Sequence, residues 1–78
     1  MTFWTVKNQD RVQGFGKHLK KLRASKGFSQ QVLADEADVA KSTVQRIENA
    51  QINVTIDVLF SMADALEIEP KELLDFKM

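Results

Sequence analysis

The sequence predicts an all-α domain of five helices. Apolar residues recur every three or four positions in successive segments, which is the spacing of one helix face, and residues that commonly cap or end helices separate these segments. Of the 78 residues, 44% are hydrophobic and 28% are charged, a composition typical of a folded globular protein. Because this length suits one domain, we expect the helices to share a single core.

The first predicted helix carries an apolar stripe and ends at a glycine. This stripe consists of Val12, Phe15, Leu19 and Leu22. Asn8 or Asp10 is placed to cap its start. Gly27 is placed to end it, because the left-handed position that follows many helices favours a residue without a Cβ. Gly14 and Gly16 lower the helix propensity near its start, so we expect close packing there if they lie inside the helix.

Two short helices separated by a tight turn are predicted next. Ser29 is placed as the N-cap of the second helix. The residues expected to face inward on this helix are Val32, Leu33, Ala34 and Ala37. The third helix is predicted at roughly residues 41–49, with Val44 and Ile47 facing inward three positions apart.

The last two predicted helices follow a loop at residues 50–54. Thr55 is placed as the N-cap of the fourth helix, and Pro70 opens the fifth, where its fixed φ fits the first helical position. The expected inward stripe of the fourth helix is Ile56, Leu59, Phe60, Ala63 and Leu66. The expected apolar side of the fifth is Leu73, Leu74 and Phe76.

Residues 29–49 are the most informative segment. Two short helices joined by so tight a turn must cross at an angle, and this requires a small residue such as Ala34 where their axes approach, which is the helix-turn-helix pattern. Over about residues 15–76 the chain resembles the phage repressor and Cro class of DNA-binding domains, also called the xenobiotic-response-element type. The resemblance rests on Val39 and on the runs LRASKGFSQ at 22–30, LA at 33–34, STV at 42–44, RIEN at 46–49, TIDVL at 55–59 and ADAL at 63–66. It implies a five-helix fold like that of lambda repressor.

The third helix of such domains enters the major groove, so the resemblance implies that residues near its start read base edges. These residues are Lys41, Ser42, Thr43, Gln45 and Arg46. Their chemistry supports the same role independently, because cationic, hydroxyl and amide groups without an acid suit base edges and phosphate. A solvated surface helix is the alternative, although such faces commonly mix both charge signs.

The resemblance also implies contacts to the DNA backbone and one internal ion pair. The positions that correspond to phosphate contacts are Ser29, Gln30, Asn49 and Asn53. For Ser29, a cap with no contact to DNA is the alternative. Arg23 and Glu48 match a partly buried ion pair that ties the first helix to the third, which makes Arg23 structural rather than a DNA contact.

The chain departs from the family pattern at four positions. Ala40 stands where Ser or Thr usually precedes the third helix, and Asp38 is an alternative cap for that helix. Asp38 also replaces the common turn glycine, at a position with positive φ in the family. Ala50 replaces the glycine that commonly follows the third helix, and Val54 replaces the proline that often precedes the fourth. We expect these changes to affect the loops and leave the core positions intact.

Charge is distributed unevenly along the chain, although its 11 basic and 11 acidic residues cancel. Residues 7–26 contain seven basic residues and one acidic residue, whereas residues 57–78 contain two basic and six acidic residues. A net charge of zero argues mildly against a nucleic-acid partner, but this gradient lets one end approach a polyanion while the other avoids it. A basic helix that is merely solvated is the alternative.

The composition argues against catalysis, metal binding and membrane insertion. With no cysteine and one histidine, His18, we expect no disulfide and no metal site, and His18 should lie on the surface of the first helix without a partner. No glycine-rich phosphate loop or converging set of titratable groups is present, so we expect no enzyme activity and no cofactor. The longest apolar run has three residues and the first residues lack the features of a secretory signal, so we expect a cytoplasmic protein.

We divide the chain into an N-terminal arm at residues 1–9 and a helix-turn-helix DNA-binding domain at residues 10–78. The predicted function is sequence-specific regulation of transcription by a stand-alone repressor. We expect it to bind a palindromic operator in double-stranded DNA as a homodimer, because two copies double the contacts. The expected dimer contact is helix five with the C-terminal tail, and the arm is the second choice.

An antitoxin-type protein, whose DNA-binding domain also binds a toxin partner, is the alternative function. The surface for that partner would be either the arm, with Phe3 and Trp4, or the tail, with Leu74, Phe76 and Met78.

Overall fold

The computed structural model describes residues 8–76, and these residues form five helices, which confirms the all-α prediction. Their bounds are α1 Gln9–Ser25, α2 Gln30–Ala37, α3 Lys41–Glu48, α4 Ile56–Leu66 and α5 Pro70–Leu73. α1 packs against α3, α3 against α2, α2 against α4, α4 against α5, and α5 again against α1. The helices therefore close a ring of contacts around the core.

Side chains from all five helices form one apolar core. Its buried members are Phe15, Leu19, Leu33, Ala34, Ala37, Val44, Ile47, Leu59, Met62, Ala63, Leu66 and Leu73. Ala34 is fully buried, as expected for a small residue where α2 meets its neighbours. Most of the predicted inward positions on α1, α2 and α3 belong to this core or pack against it, because one helix face is buried on each.

The predicted inward stripe of α4 is wrong at two positions. Ile56 and Phe60 are 66% and 50% exposed, whereas Met62, which the prediction omitted, is fully buried. The face that α4 buries consists of Leu59, Met62, Ala63 and Leu66. The apolar surface of this helix is wider than the area that its neighbours cover, so Ile56 and Phe60 face outward.

Two other residues expected inside are also exposed. Val32 lies on the outer side of α2, and Leu74 follows α5 at its C-cap instead of lying on its buried side. Phe76 is only partly buried, but its ring packs edge-on against Phe15 with 6.4 Å between the ring centroids. The end of the described chain is thereby joined to α1.

Helices α1 to α4 end in the same backbone motif. The residues that adopt a left-handed conformation just past each helix are Gly27, Asp38, Ala50 and Glu67, at φ 75°, 58°, 57° and 59°. The following amide bonds the carbonyl five residues back, with N···O distances of 3.1 Å for Phe28 to Arg23, 2.9 Å for Val39 to Ala34, 2.7 Å for Gln51 to Arg46 and 3.0 Å for Ile68 to Ala63. These bonds satisfy helix carbonyls that otherwise lack a donor. The expected positive φ at Asp38 is therefore present, and Ala50 has one too.

Side-chain caps begin α2 and α4, as predicted. The Val32 amide donates to the Ser29 hydroxyl at 3.1 Å, and the Val58 amide donates to the Thr55 hydroxyl at 3.2 Å. Ala40 holds the N-cap position of α3 with no side-chain hydrogen bond, so the alternative cap at Asp38 is wrong. α3 therefore depends on tertiary contacts more than a capped helix of the same length would.

α1 approaches α3 most closely at Gly16. A Cβ on Gly16 would lie 2.6 Å from the carbonyl oxygen of Ile47 and 2.8 Å from that of Glu48. Backbone oxygens at these distances leave no room for a side chain. The expected close packing is present at this glycine, which lets α1 lie directly on the last turn of α3.

Replacing Gly16 with Ala is expected to lower the free energy of unfolding by about 2 to 3 kcal/mol, because the new methyl group forces two helix backbones apart. At a helix position without such contacts, the same change raises the free energy of unfolding by about 1 kcal/mol. The sign of the measured change therefore shows whether α1 and α3 touch at Gly16. Urea denaturation followed by circular dichroism measures it. Lys20→Ala, on an exposed position of α1, is the control and should change stability little.

Candidate nucleic-acid interface

The segment from α2 to α3 presents a polar helix face to solvent. Three residues, 38–40, separate the two helices. Val44 and Ile47 bury the inner face of α3 in the core, as predicted. Of the five predicted base-reading residues, Thr43 is partly buried and the other four are exposed: Lys41, Ser42, Gln45 and Arg46. The structure therefore places the whole set together on one side of one helix.

The exposed face of α3 carries no carboxylate, because the acid of this helix, Glu48, is turned inward. What remains outside is an ammonium, a guanidinium, two hydroxyls and an amide. These groups match the acceptor and donor pattern of base edges in the major groove, where Arg and Lys bond guanine and Gln bonds adenine. The face is thus suited to a polyanionic partner that also offers hydrogen-bonding edges.

Arg23 and Glu48 form a buried ion pair between α1 and α3. The Arg23 Nε donates to Glu48 Oε2 at 2.7 Å and its Nη2 donates to Glu48 Oε1 at 3.2 Å. The two side chains are 12% and 2% exposed. The third guanidinium nitrogen, Nη1, donates to the carbonyl oxygen of Phe28 at 2.8 Å. One arginine thereby connects α1, the turn before α2 and the end of α3.

Gln30, a predicted phosphate contact, also has an internal role. Its Nε2 donates to Glu48 Oε1 at 2.9 Å, which adds α2 to the same network. The amide carries two N–H donors, and this bond uses one of them. Gln30 is partly exposed at the first position of α2, so the second donor can still reach a phosphate. Its fixed position would make that contact a well-oriented one.

The other three predicted phosphate contacts, Ser29, Asn49 and Asn53, are all exposed. The hydroxyl of Ser29 accepts the capping bond at the start of α2, which leaves its own proton available to donate. Asn49 is the C-cap residue of α3 and lies on the same side as the reading face. Asn53 lies in the loop before α4, on the rim of an apolar groove. Asn49 and Asn53 therefore follow the C-terminal end of α3, and Ser29 stands at the start of α2.

His18 differs from its prediction as a surface residue without a partner. Its Nε2 lies 2.7 Å from the carbonyl oxygen of Glu72, and since a carbonyl only accepts, the imidazole donates this bond. Its ring also packs against Phe76 with 5.6 Å between the ring centroids. His18 therefore fastens α5 and the following residues to α1, which is a structural role that no local sequence pattern revealed.

Residues 8–76 hold no group of three or more His, Asp or Glu residues placed to bind a metal ion. None of the helices in this range combines the length and apolar character needed to span a membrane.

Comparison with known proteins gives consistent results. The family model described as helix-turn-helix matches residues 19–73. The control protein C.BamHI of Bacillus amyloliquefaciens is 38% identical over 63 residues, which cover 80% of this chain and 78% of that protein. The transcriptional regulator SinR of Bacillus subtilis is 40% identical over 63 residues, but the chain spans only 57% of its length.

Among solved structures, the restriction-modification controller protein C.AhdI from Aeromonas hydrophila is similar, with 42% identity and a TM-score of 0.77. The match covers 82% of this chain and 96% of that one. The relatives named here are regulators and control proteins, which confirms the prediction of a regulator type rather than an enzyme.

Replacing Arg23 with Met is expected to lower the free energy of unfolding by about 3 kcal/mol or more, because Glu48 is left buried without its cation. The double variant Arg23→Met with Glu48→Leu should recover part of this loss, since it removes both charges and keeps most of the apolar volume. Urea denaturation of the wild type, both single variants and the double variant measures the coupling. Strictly additive losses would show that the two side chains do not stabilise each other.

Proposed function

We propose that this chain, which belongs to the helix-turn-helix family of the phage repressor and Cro type, regulates transcription by binding specific sequences in double-stranded DNA. The observation that carries the proposal is that the outer face of α3 is exposed, polar and free of carboxylates, while α2 packs against this helix. An α-helix with its side chains is about 10 to 12 Å in diameter, which is comparable to the width of the major groove of B-DNA, about 12 Å. α3 can therefore enter that groove.

The charge distribution supports one orientation on DNA. α1 carries five basic residues and one acidic residue and lies against α3. The six acidic residues between positions 57 and 78 lie on or next to α4 and α5. A polyanion is attracted to the first side and repelled by the second, so the field of the protein favours an approach with α3 toward the duplex.

We assign the base contacts to the exposed face of α3 and the backbone contacts to its surroundings. The proposed base-reading residues are Lys41, Ser42, Thr43, Gln45 and Arg46. The proposed phosphate contacts are Ser29, Gln30, Asn49 and Asn53. Phosphate contacts set the register and orientation of the protein, whereas the side chains that meet base edges supply the sequence preference.

A homodimer on a palindromic operator is part of the proposal, with the two copies of α3 about 34 Å apart, one turn of the duplex. The structure offers an apolar surface for this dimer at Ile56 and Phe60, one turn apart on α4, and at Leu74. An apolar groove of about 460 Å³ adjoins Leu74 on the side toward α1. We therefore propose that the dimer contact consists of α4 together with Leu74, instead of α5 and the tail as the sequence suggested.

We further propose that the chain divides into an arm at residues 1–9 and a DNA-binding domain at residues 10–78, and that it acts as a repressor in the cytoplasm. Phe3, Trp4 and Met78, which the sequence suggested as partner contacts, lie outside the described residues. For the antitoxin alternative, the described part of the suggested toxin surface is the tail, where Leu74 is exposed and Phe76 is partly buried.

Selection from a pool of random duplexes should enrich a palindrome, and titration of that duplex should then test the reading face. Arg46→Ala and Lys41→Ala are each expected to weaken binding by about 1 to 3 kcal/mol and relax base preference where the side chain meets a base. Where it meets phosphate, the dependence of the logarithm of affinity on the logarithm of salt concentration should instead become shallower.

Lys71→Ala is the matched control for these two variants, because Lys71 is an exposed lysine of α5 on the acidic side. Its affinity should stay close to that of the wild type. Unchanged binding by both α3 variants would contradict the proposal that α3 contacts DNA. Equal weakening in all three variants would show that the effect comes from the loss of net charge.

Phe60→Glu is expected to produce a monomer, because a carboxylate inside an apolar contact loses its hydration without gaining a partner. Analytical ultracentrifugation measures the change, and the affinity for the palindrome should fall with it. Val32→Glu, an equally polar change at another exposed apolar residue, should leave the oligomeric state as it is. A wild-type chain that stays monomeric at high micromolar concentration would contradict the dimer, and capture of a toxin that is lost in Leu74→Glu would support the antitoxin alternative.

A further inference from the structure

Beside the last turn of α3 lies a shallow polar pocket of about 290 Å³, which contains Asn49 of the proposed phosphate contacts and two residues of α1 that those contacts do not include. Its lining consists of Gln13 and Lys17 from α1, Glu48 and Asn49 at the end of α3, and Ala50. The pocket is formed because Gly16 lets α1 lie directly on the carbonyls of Ile47 and Glu48. Gln13 and Lys17, one helical turn apart, flank that contact on α1.

The pocket opens at the C-terminal end of the reading face. Asn49 continues the exposed side of α3, since it follows Ser42, Gln45 and Arg46 by seven, four and three residues. In a reading helix the N-terminal residues meet the base edges, so the opposite end lies toward the rim of the groove, where the phosphates are. The side chains of Gln13 and Lys17 are exposed and therefore available at that rim.

The chemistry of the pocket suits an anion. Lys17 provides an ammonium group, and Gln13 and Asn49 provide amide N–H donors. Glu48 is the one acid in the lining, but its side chain is 2% exposed, and its two oxygens accept bonds from Arg23 and Gln30. Its charge is thus compensated from inside the protein, while the cation of Lys17 faces outward.

We propose that Gln13 and Lys17 of α1, together with Asn49, form a phosphate-binding site that clamps the DNA backbone at the C-terminal end of α3. The inference rests on the proposed function and adds α1 to the elements that touch the duplex. It assigns one lysine of the basic first helix to a phosphate, while Lys20, the next lysine along α1, lies outside the pocket.

The test is the salt dependence of binding to the palindromic duplex, measured by fluorescence anisotropy for the wild type, Lys17→Ala and Lys20→Ala. Loss of one phosphate contact per protomer should reduce the slope of the logarithm of affinity against the logarithm of salt by about 0.9, and by about 1.8 for a dimer. We expect this reduction for Lys17→Ala and little change for Lys20→Ala. Lys17→Arg should keep the wild-type slope, and Gln13→Ala should weaken binding with a smaller effect on the slope.

A structural role for Lys17 would give a different result. A cation beside the last turn of α3 also stabilises that helix end, so Lys17→Ala would then lower resistance to urea and leave the slope unchanged, which would overturn the proposed site. Equal slope changes for Lys17→Ala and Lys20→Ala would overturn it as well, because net charge alone would then explain them. If the wild type binds duplex while only these α1 results fail, the site is wrong and the proposed function stands. If the wild type binds no duplex at low salt, both are wrong.

Discussion

The buried carboxylate of Glu48 is the constraint on which the arrangement of the helices depends. A charge in this position destabilises the fold unless cationic and hydrogen-bonding partners surround it, and here those partners come from two other helices: Arg23 of α1 and Gln30 of α2. The same arginine also bonds the carbonyl of Phe28 in the turn before α2. Satisfying one carboxylate thus fixes the position of α3, an eight-residue helix without a side-chain cap, relative to both neighbours.

This network also separates the two faces of α3 by charge. Turning the helix's acid inward leaves only neutral and cationic groups on the outer face, so the interaction that stabilises the fold also removes a group that would repel DNA. Gln30 belongs to this network through one amide proton, and in the proposed interface its other amide proton binds a phosphate. The stability of the domain and the chemistry of the proposed interface are therefore linked through shared side chains.

Close packing of α1 on α3 serves a similar double purpose. Gly16 allows the two helices to touch through backbone atoms. As a result, Gln13 and Lys17 of α1 line a pocket together with Asn49 at the end of α3. The left-handed residues that end α1 to α4 return the chain abruptly to the core, so short helices can surround it without long loops. Three of these four residues are not glycine, and the same hydrogen bond forms at all four helix ends, so the motif tolerates side chains of Asp, Ala and Glu.

The sequence by itself determined the five helices, the caps at Ser29 and Thr55 and the polar character of α3, because helix periodicity and capping depend on residues close together in the chain. It did not determine which apolar residues of α4 are covered, since Ile56, Phe60 and Met62 all fit a helical stripe and only neighbouring helices decide which of them lose contact with water. The bond from His18 to Glu72, the second role of Gln30 and the pocket at Lys17 likewise join residues far apart in the chain. Only the tertiary structure decided these, because local pattern fixes the conformation of each segment but not the distance between segments.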